Sequence, residues 1–207
     1  MSQNLKFSQL ILFFSIAILG LNACNNVHSQ NSHYSSLLER QDTIGKSAEW
    51  INVKKYFADY TTAISKDSND IAAYLDLSAL YLNEARVSGN QSYYYKAALQ
   101  IINRILNKPN ATKDDRFLAL TYKSSVLLSL HQFADAKKIA EEAVLLNPYN
   151  ADVYGALVDA NVELGNYQVA VEMCDKMMSI RPDLRSYSRA SYLRQIFGDN
   201  NGAKAAM

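Results

Sequence analysis

From Ala48 onward, apolar residues return every three or four positions in long stretches broken by short polar ones. Trp50, Val53, Phe57, Tyr60 and Ile64 lie on one face of a helix predicted to start near Ala48 and end near Lys66. Asp70 then stands as an N-cap before a second helix, IAAYLDLSALYLNEA, and RVSGNQS inserts seven residues before a third, YYYKAALQIINRILNKP. Two longer units follow the loop NATKDD. They read FLALTYKSSVLLSLHQFADAKKIAEEAVLLNP and ADVYGALVDANVELGNYQVAVEMCDKMMSIRP, each an apolar helix, a break, a second apolar helix and a proline. With 7 Gly and 3 Pro in 207 residues such helices meet few interruptions, whereas an all-β chain would need turn residues every ~8–12 positions. The fold class is all-α.

The two longer units are copies of one repeat. Pro148 and Pro182 lie 34 positions apart, and the small residues Ala136 and Ala170 hold the same register before them. In the unit from Ala151, Tyr154, Leu157, Val158 and Leu164 share a face, and Gly165 can take the positive backbone angle that a tight helix stop needs. Ala170 is small where the second helix crosses the first, and Met173, Cys174 and Met177 fill the space toward the next unit. Neither helix alone buries its face. His131 occupies the turn slot that Gly165 holds one unit later, as a tolerated or C-capping residue.

A helix-turn-helix period of 34 residues resembles the tetratricopeptide repeat. The resemblance is strong from residue 117, loose before 71, and covers about 48–207. Tyr74, Leu77, Ser78 and Tyr81 fall on its aromatic, apolar, small and aromatic slots, and Ala97, Ile101 and Pro109 on those of the partner helix. The text after Pro182 resembles a variant with the signature SYxRxSYLRxxxGDxxGAxxAM. The resemblance implies a right-handed solenoid of antiparallel helix pairs, with three to four repeats in 48–207 and the last one incomplete. Trp50 to Lys66 then read as a second repeat helix whose first helix is missing. With Met207 about two turns into the last helix, the chain is expected to be a fragment of a longer array or to cover its open face otherwise. Left bare around Tyr187, Ala190 and Phe197, that face predicts self-association of 48–207, or fraying from about Asp183.

The N-terminus changes the picture of place. One charge, Lys6, precedes the apolar run Leu10 to Leu21, which is of signal-peptide length, so residues 1–23 are expected to be removed. Leu21-Asn22-Ala23-Cys24 resembles a bacterial lipobox, which implies that Cys24 becomes the lipidated first residue. Asn25 and Asn26 supply no aspartate retention signal, which points to the outer membrane, facing the periplasm. Residues 24–47 are polar and read as the lipidated cysteine and a tether, with the ordered body starting at Ala48. His28 and His33 in the tether are too few for a metal site. Cys174, at the helical spacing of Ala170, Met177 and Met178, reads as a buried core residue with no disulfide partner.

Arrays of the resembled kind bind extended or helical peptides in a concave groove lined by their first helices. The resemblance places Ala72, Leu75, Asp76, Ala79, Leu82 and Asn83 there, then Leu118, Thr121, Tyr122, Ser125 and Leu128. Asp152, Asp159 and Glu163 follow, then Arg185, Ser188, Arg189 and Tyr192. The residues picked as partner-binding are Tyr122, Asp152, Asp159, Glu163, Arg185, Arg189 and Tyr192. Asp159 and Glu163 against Arg185 and Arg189 read either as a peptide-recognising stripe or, preferably, as salt bridges between adjacent helices. The Lys, Asn and Arg clamp of chaperone-binding members is missing from the first three lining helices.

Chemistry is nearly absent. Lys and Arg number 21 against 20 acidic residues, so the net charge of +1 draws in neither nucleic acid nor an anionic membrane. No phosphate-cradling glycine loop, metal-spaced His/Cys cluster or nucleophile with a base is legible, so neither enzyme nor cofactor is expected. The leading expectation is a lipid-anchored scaffold that binds protein or peptide partners through its concave face. A permanent subunit of an envelope assembly complex comes second, and an enzyme with an unrecognised site third.

Overall fold

The computed structural model describes residues 34–207, of which Leu37–Met207 form one compact unit. The expected signal segment, Cys24 and residues 24–33 of the tether lie outside the described residues.

Among the described residues there are nine α-helices and no strand: α1 (Ala48–Lys66), α2 (Ile71–Ser88), α3 (Gln91–Leu106), α4 (Lys113–Ser129), α5 (Phe133–Leu146), α6 (Ala151–Glu163), α7 (Tyr167–Ile180), α8 (Leu184–Ile196) and α9 (Asn200–Ala205). Side chains cap the starts of α1, α2, α4, α6, α8 and α9, whereas α3, α5 and α7 start without such a cap. Asp70 accepts from the Ala73 amide at 3.0 Å, and Asn150 caps α6. Thr112 with Asp115, and Asp183 with Ser186, form reciprocal capping boxes. The loop before α4 is latched by one side chain. Arg116 donates to the carbonyls of Leu106 and Lys108, each at 2.8 Å, and of Ala111 at 3.3 Å.

Consecutive helices pair as α2/α3, α4/α5, α6/α7 and α8/α9. The first helices α2, α4, α6 and α8 also touch one another in succession, whereas α3, α5 and α7 touch only the first helices that flank them. That asymmetry makes the first helices an inner layer and the second helices an outer one. The small positions explain the close approach: Ala97, Ala136, Ala170 and Ala203 are all buried at the pair crossings, and Ser78, Ser124, Val158 and Ser191 are buried in α2, α4, α6 and α8. The core between successive units holds Phe117, Leu120, Tyr154, Leu157 and Met177, continued by Val158, Cys174 and Leu193. Tyr94 and Tyr95 are buried while Tyr93 is half-buried, its ring edge-on to Tyr94 with centroids 5.1 Å apart.

Three turn positions share one backbone conformation. Gly165 and Gly198 have φ of +75° and +79°, and His131, in the slot of Gly165, has φ +57° with its ring edge-on to Phe133.

Two segments differ from the sequence reading. The insert RVSGNQS is largely helix: α2 runs on through Arg86, Val87 and Ser88 and stops at Gly89, whose φ of +73° ends it. Arg86, Val87 and Ser88 carry the helix one further turn despite the lower propensity of Val and Ser, and the left-handed glycine ends it. The ordered body also begins before Ala48. The Leu38 amide donates to the Tyr94 hydroxyl at 2.9 Å, and the Arg40 side chain is fully buried against Glu84. A 3₁₀ turn at Asp42–Lys46 then leads into α1, with Gly45 so close to Arg40 that a β-carbon would sit 2.1 Å from the Arg40 carbonyl oxygen. The strap is polar in sequence because its one inward charge is neutralised by a partner 44 residues away.

Candidate functional site

The inner layer bounds a groove of about 510 Å³ floored and walled by α2, α4, α6 and α8. Helical spacing places Ala79 and Leu82 from α2, Leu118, Tyr122 and Leu128 from α4 and Ala156 from α6 on its apolar surface. Gly155 sits where the Arg189 guanidinium and the Met177 thioether approach α6, each 3.5 Å from where its β-carbon would be.

Of the residues picked from sequence, Tyr122, Asp152, Asp159, Arg185 and Arg189 line this one groove. Glu163 and Tyr192 do not. They bound an adjoining recess of about 110 Å³, which shares Asp159 and Arg189 with the groove.

The charges between α6 and α8 are matched to one another. Arg189 holds Asp159 with both arms of its guanidinium, Nε to Oδ1 at 2.8 Å and Nη2 to Oδ2 at 2.5 Å, and donates a third bond to the Arg185 carbonyl. Asp152 accepts from Arg181 at 2.5 Å and from Arg185 at 3.0 Å. Burial pulls the Arg189 pKa down, but the bond and charge of Asp159 outweigh it and the net shift is upward. Asp183 is held below the ordinary carboxylate range, first by the Ser186 amide and then by Arg181 and Arg185. These contacts tie neighbouring units together across partly exposed positions, where each pair is worth ~0–1 kcal/mol. Glu163 is exposed and forms no ion pair among the described residues.

Two cations that bear on the groove, one lining it and one paired to a residue that does, lie outside the sequence selection. Arg181 follows α7 and shares Asp152, and Arg86 lines the groove from the last turn of α2. Arg86 was findable: it continues the stripe of Ala79 and Leu82 by one more helical step, had the helix been carried past Ala85.

A second recess, about 550 Å³ and mostly apolar, lies between α7, α8 and α9, lined by Val171, Cys174, Met178, Tyr187, Leu193 and Phe197 among others. Cys174 is buried at its base and burial pushes its thiol pKa up, the opposite of what a nucleophilic cysteine needs. Among the described residues no group of three or more His, Cys, Asp or Glu side chains could hold a metal ion, and no helix is long and apolar enough to cross a membrane.

The profile of the tetratricopeptide repeat matches residues 127–196. Among solved structures, a crystal structure of MamA is similar with a TM-score of 0.59 at 17% identity, over 80% of this chain and 91% of that one. A MamA RS-1 double mutant gives 0.60 at 17% identity over 76% and 83%. MamA from Desulfovibrio magneticus RS-1 gives 0.53 at 18% identity over 74% and 90%. At these identities the likeness is one of fold. No curated protein matches the chain in sequence.

Proposed function

Since the chain is a tetratricopeptide-repeat protein, a helical solenoid of the kind that serves protein interactions, we propose that it is a non-enzymatic scaffold, held to the cell envelope by a lipid on Cys24, that binds a protein segment in the groove of α2, α4, α6 and α8. The observation that carries this reading is the groove itself: about 510 Å³, continuous over four helices, apolar along its walls and edged with charge. A photo-crosslinker placed at Ser125, on the groove, should give a defined protein adduct in envelope preparations, and one at Gln168, on the exposed outer side, should not. Identical adducts from both positions would refute groove binding.

The anchor rests on sequence, on the apolar run Leu10 to Leu21 followed by Leu21-Asn22-Ala23-Cys24. Asn25 and Asn26 favour the outer membrane over the inner, with the body facing the periplasm. Metabolic labelling with a palmitate analogue should mark the wild type but not Cys24→Ala, which should also leave the membrane fraction. Equal labelling of the two would sink the anchor.

The apolar recess of α7–α9 supports a second contact, between copies of the chain, because Tyr187 and Phe197 on its rim are exposed. Sedimentation should then show association that Phe197→Glu weakens; a monomer at all concentrations would dispose of it.

A further inference from the structure

Of the charges that the sequence makes conspicuous, those lining the groove are already engaged, while Glu163 lies in the adjoining recess. Asp159 is taken up by Arg189, and Asp152 by Arg181 and Arg185. On α2, two exposed charges form no ion pair or hydrogen bond among the described residues: Asp76, three positions before the groove residue Ala79, and Arg86, on the groove wall.

Their surroundings differ. The helix of Asp76, α2, packs against both α1, which carries Tyr60 stacked on Tyr56 with centroids 6.2 Å apart, and α4, which carries Tyr122. After burial, the charge of Asp76 is the next cause raising the pKa of both Tyr60 and Tyr122, which places the carboxylate near both phenols. A carboxylate with tyrosines on both neighbouring helices suits a lysine or arginine side chain, which gains charge attraction and aromatic contact together. Arg86 lines the groove one helical turn after Leu82 and offers a guanidinium without an ion pair among the described residues, which suits a carboxylate. Asp76 and Arg86 are ten residues apart on one helix, hence about 15 Å along its axis. Four residues of extended peptide span ~13 Å, and positions i, i+2 and i+4 of such a peptide face the same way.

Building on the groove reading above, we infer that the bound segment is an extended peptide with a basic side chain against Asp76, an apolar one against Ala79 and Leu82, and an acidic one against Arg86, at positions i, i+2 and i+4. Both chain directions satisfy this spacing, with the basic side chain at either end of the i to i+4 register, because positions i and i+4 face the same way.

The test uses the full-length protein in detergent micelles and fluorescein-labelled nonapeptides read by anisotropy. The peptides carry Lys-x-Leu-x-Glu or Glu-x-Leu-x-Lys at the centre, with Lys/Lys, Glu/Glu and Gln/Gln versions as controls. The better of the two mixed peptides should bind about three- to tenfold more tightly than each control. Asp76→Lys should shift the preference to Glu/Glu, and Arg86→Glu should shift it to Lys/Lys; both positions are exposed, so neither change should unfold the chain. An unchanged ranking in these variants, or equal affinity for all five peptides, overturns the inference. Ser125→Trp, which fills the groove from an exposed position, separates the two failures. Binding that Ser125→Trp abolishes but charge does not affect overturns the charge register alone. Binding that survives Ser125→Trp, or no binding of any peptide by the wild type, overturns the groove reading as well.

Discussion

Arg40 and Glu84 face each other with both side chains fully screened from solvent, Nε to Oε2 at 3.0 Å and Nη2 to Oε1 at 2.6 Å. The same guanidinium reaches Glu49 at 3.1 Å and lies 5.0 Å from the centre of the Trp50 ring. Every polar atom of this buried pair therefore has a partner, which is the condition under which a buried ion pair is tolerated. The contact closes the strap of Leu37–Lys46 onto α1 and α2.

Removing one partner of this pair strands the other. Arg40→Ala should cost about 3–5 kcal/mol, because Glu84 is left as a buried charge without compensation. The double change Arg40→Met with Glu84→Leu should cost much less, since it removes both charges and keeps the volume. Urea unfolding of the two variants checks this, and a double variant as unstable as the single one would mean that the pair itself holds the strap.

The helix crossing at Ala170 has no spare room, as its burial shows. Ala170→Leu should overpack it and cost roughly 1–3 kcal/mol, while Gln168→Leu on the exposed side should change stability little. Thermal melts of the two side by side decide it; similar midpoints would contradict the packing.

Two glycines should respond to alanine with opposite signs. At Gly165 nothing lies within 4 Å of an added β-carbon, yet the φ of +75° disfavours alanine by about 1 kcal/mol. At Gly155, inside α6, the nearest atoms are 3.5 Å from an added β-carbon, an ordinary contact, so Gly155→Ala should stabilise by about 0.5–1 kcal/mol through helix propensity. Chemical denaturation of both variants tests the pair of signs, and a loss of stability at Gly155 would show that the groove floor tolerates no added methyl.

Cys174 should be unreactive in the folded protein. Its thiol is buried and its pKa raised by burial, so in a Cys24→Ala background alkylation near neutral pH should be slow until denaturant exposes the core. A native rate close to that of a free cysteine would place the thiol at the surface.

Much of the fold is local text. The period between Pro148 and Pro182, the caps at Asp70 and Asp183, the small residues at Ala136 and Ala170 and the turn glycine at Gly165 each determine a helix, its end or its crossing through short-range sterics and hydrogen bonding. For that reason the helix pairs could be read without coordinates, and the resemblance to the tetratricopeptide repeat then implied the inner layer. The groove positions came from that resemblance, which names the lining helices, and from helical spacing, which assigns a face; Tyr122, Asp152, Asp159, Arg185 and Arg189 come together in one groove, while Glu163 and Tyr192 fall in the recess beside it. What only the tertiary structure decided is which charges meet. Arg40 finds Glu84 across 44 residues, and Arg189 finds Asp159 across 30. No periodicity encodes such pairs, because they depend on the rotation of one helix against another and on a strap that carries no hydrophobic pattern. The same rotation leaves Asp76 and Arg86 unpaired, and the burial of one charge beside the exposure of another follows from packing rather than from composition.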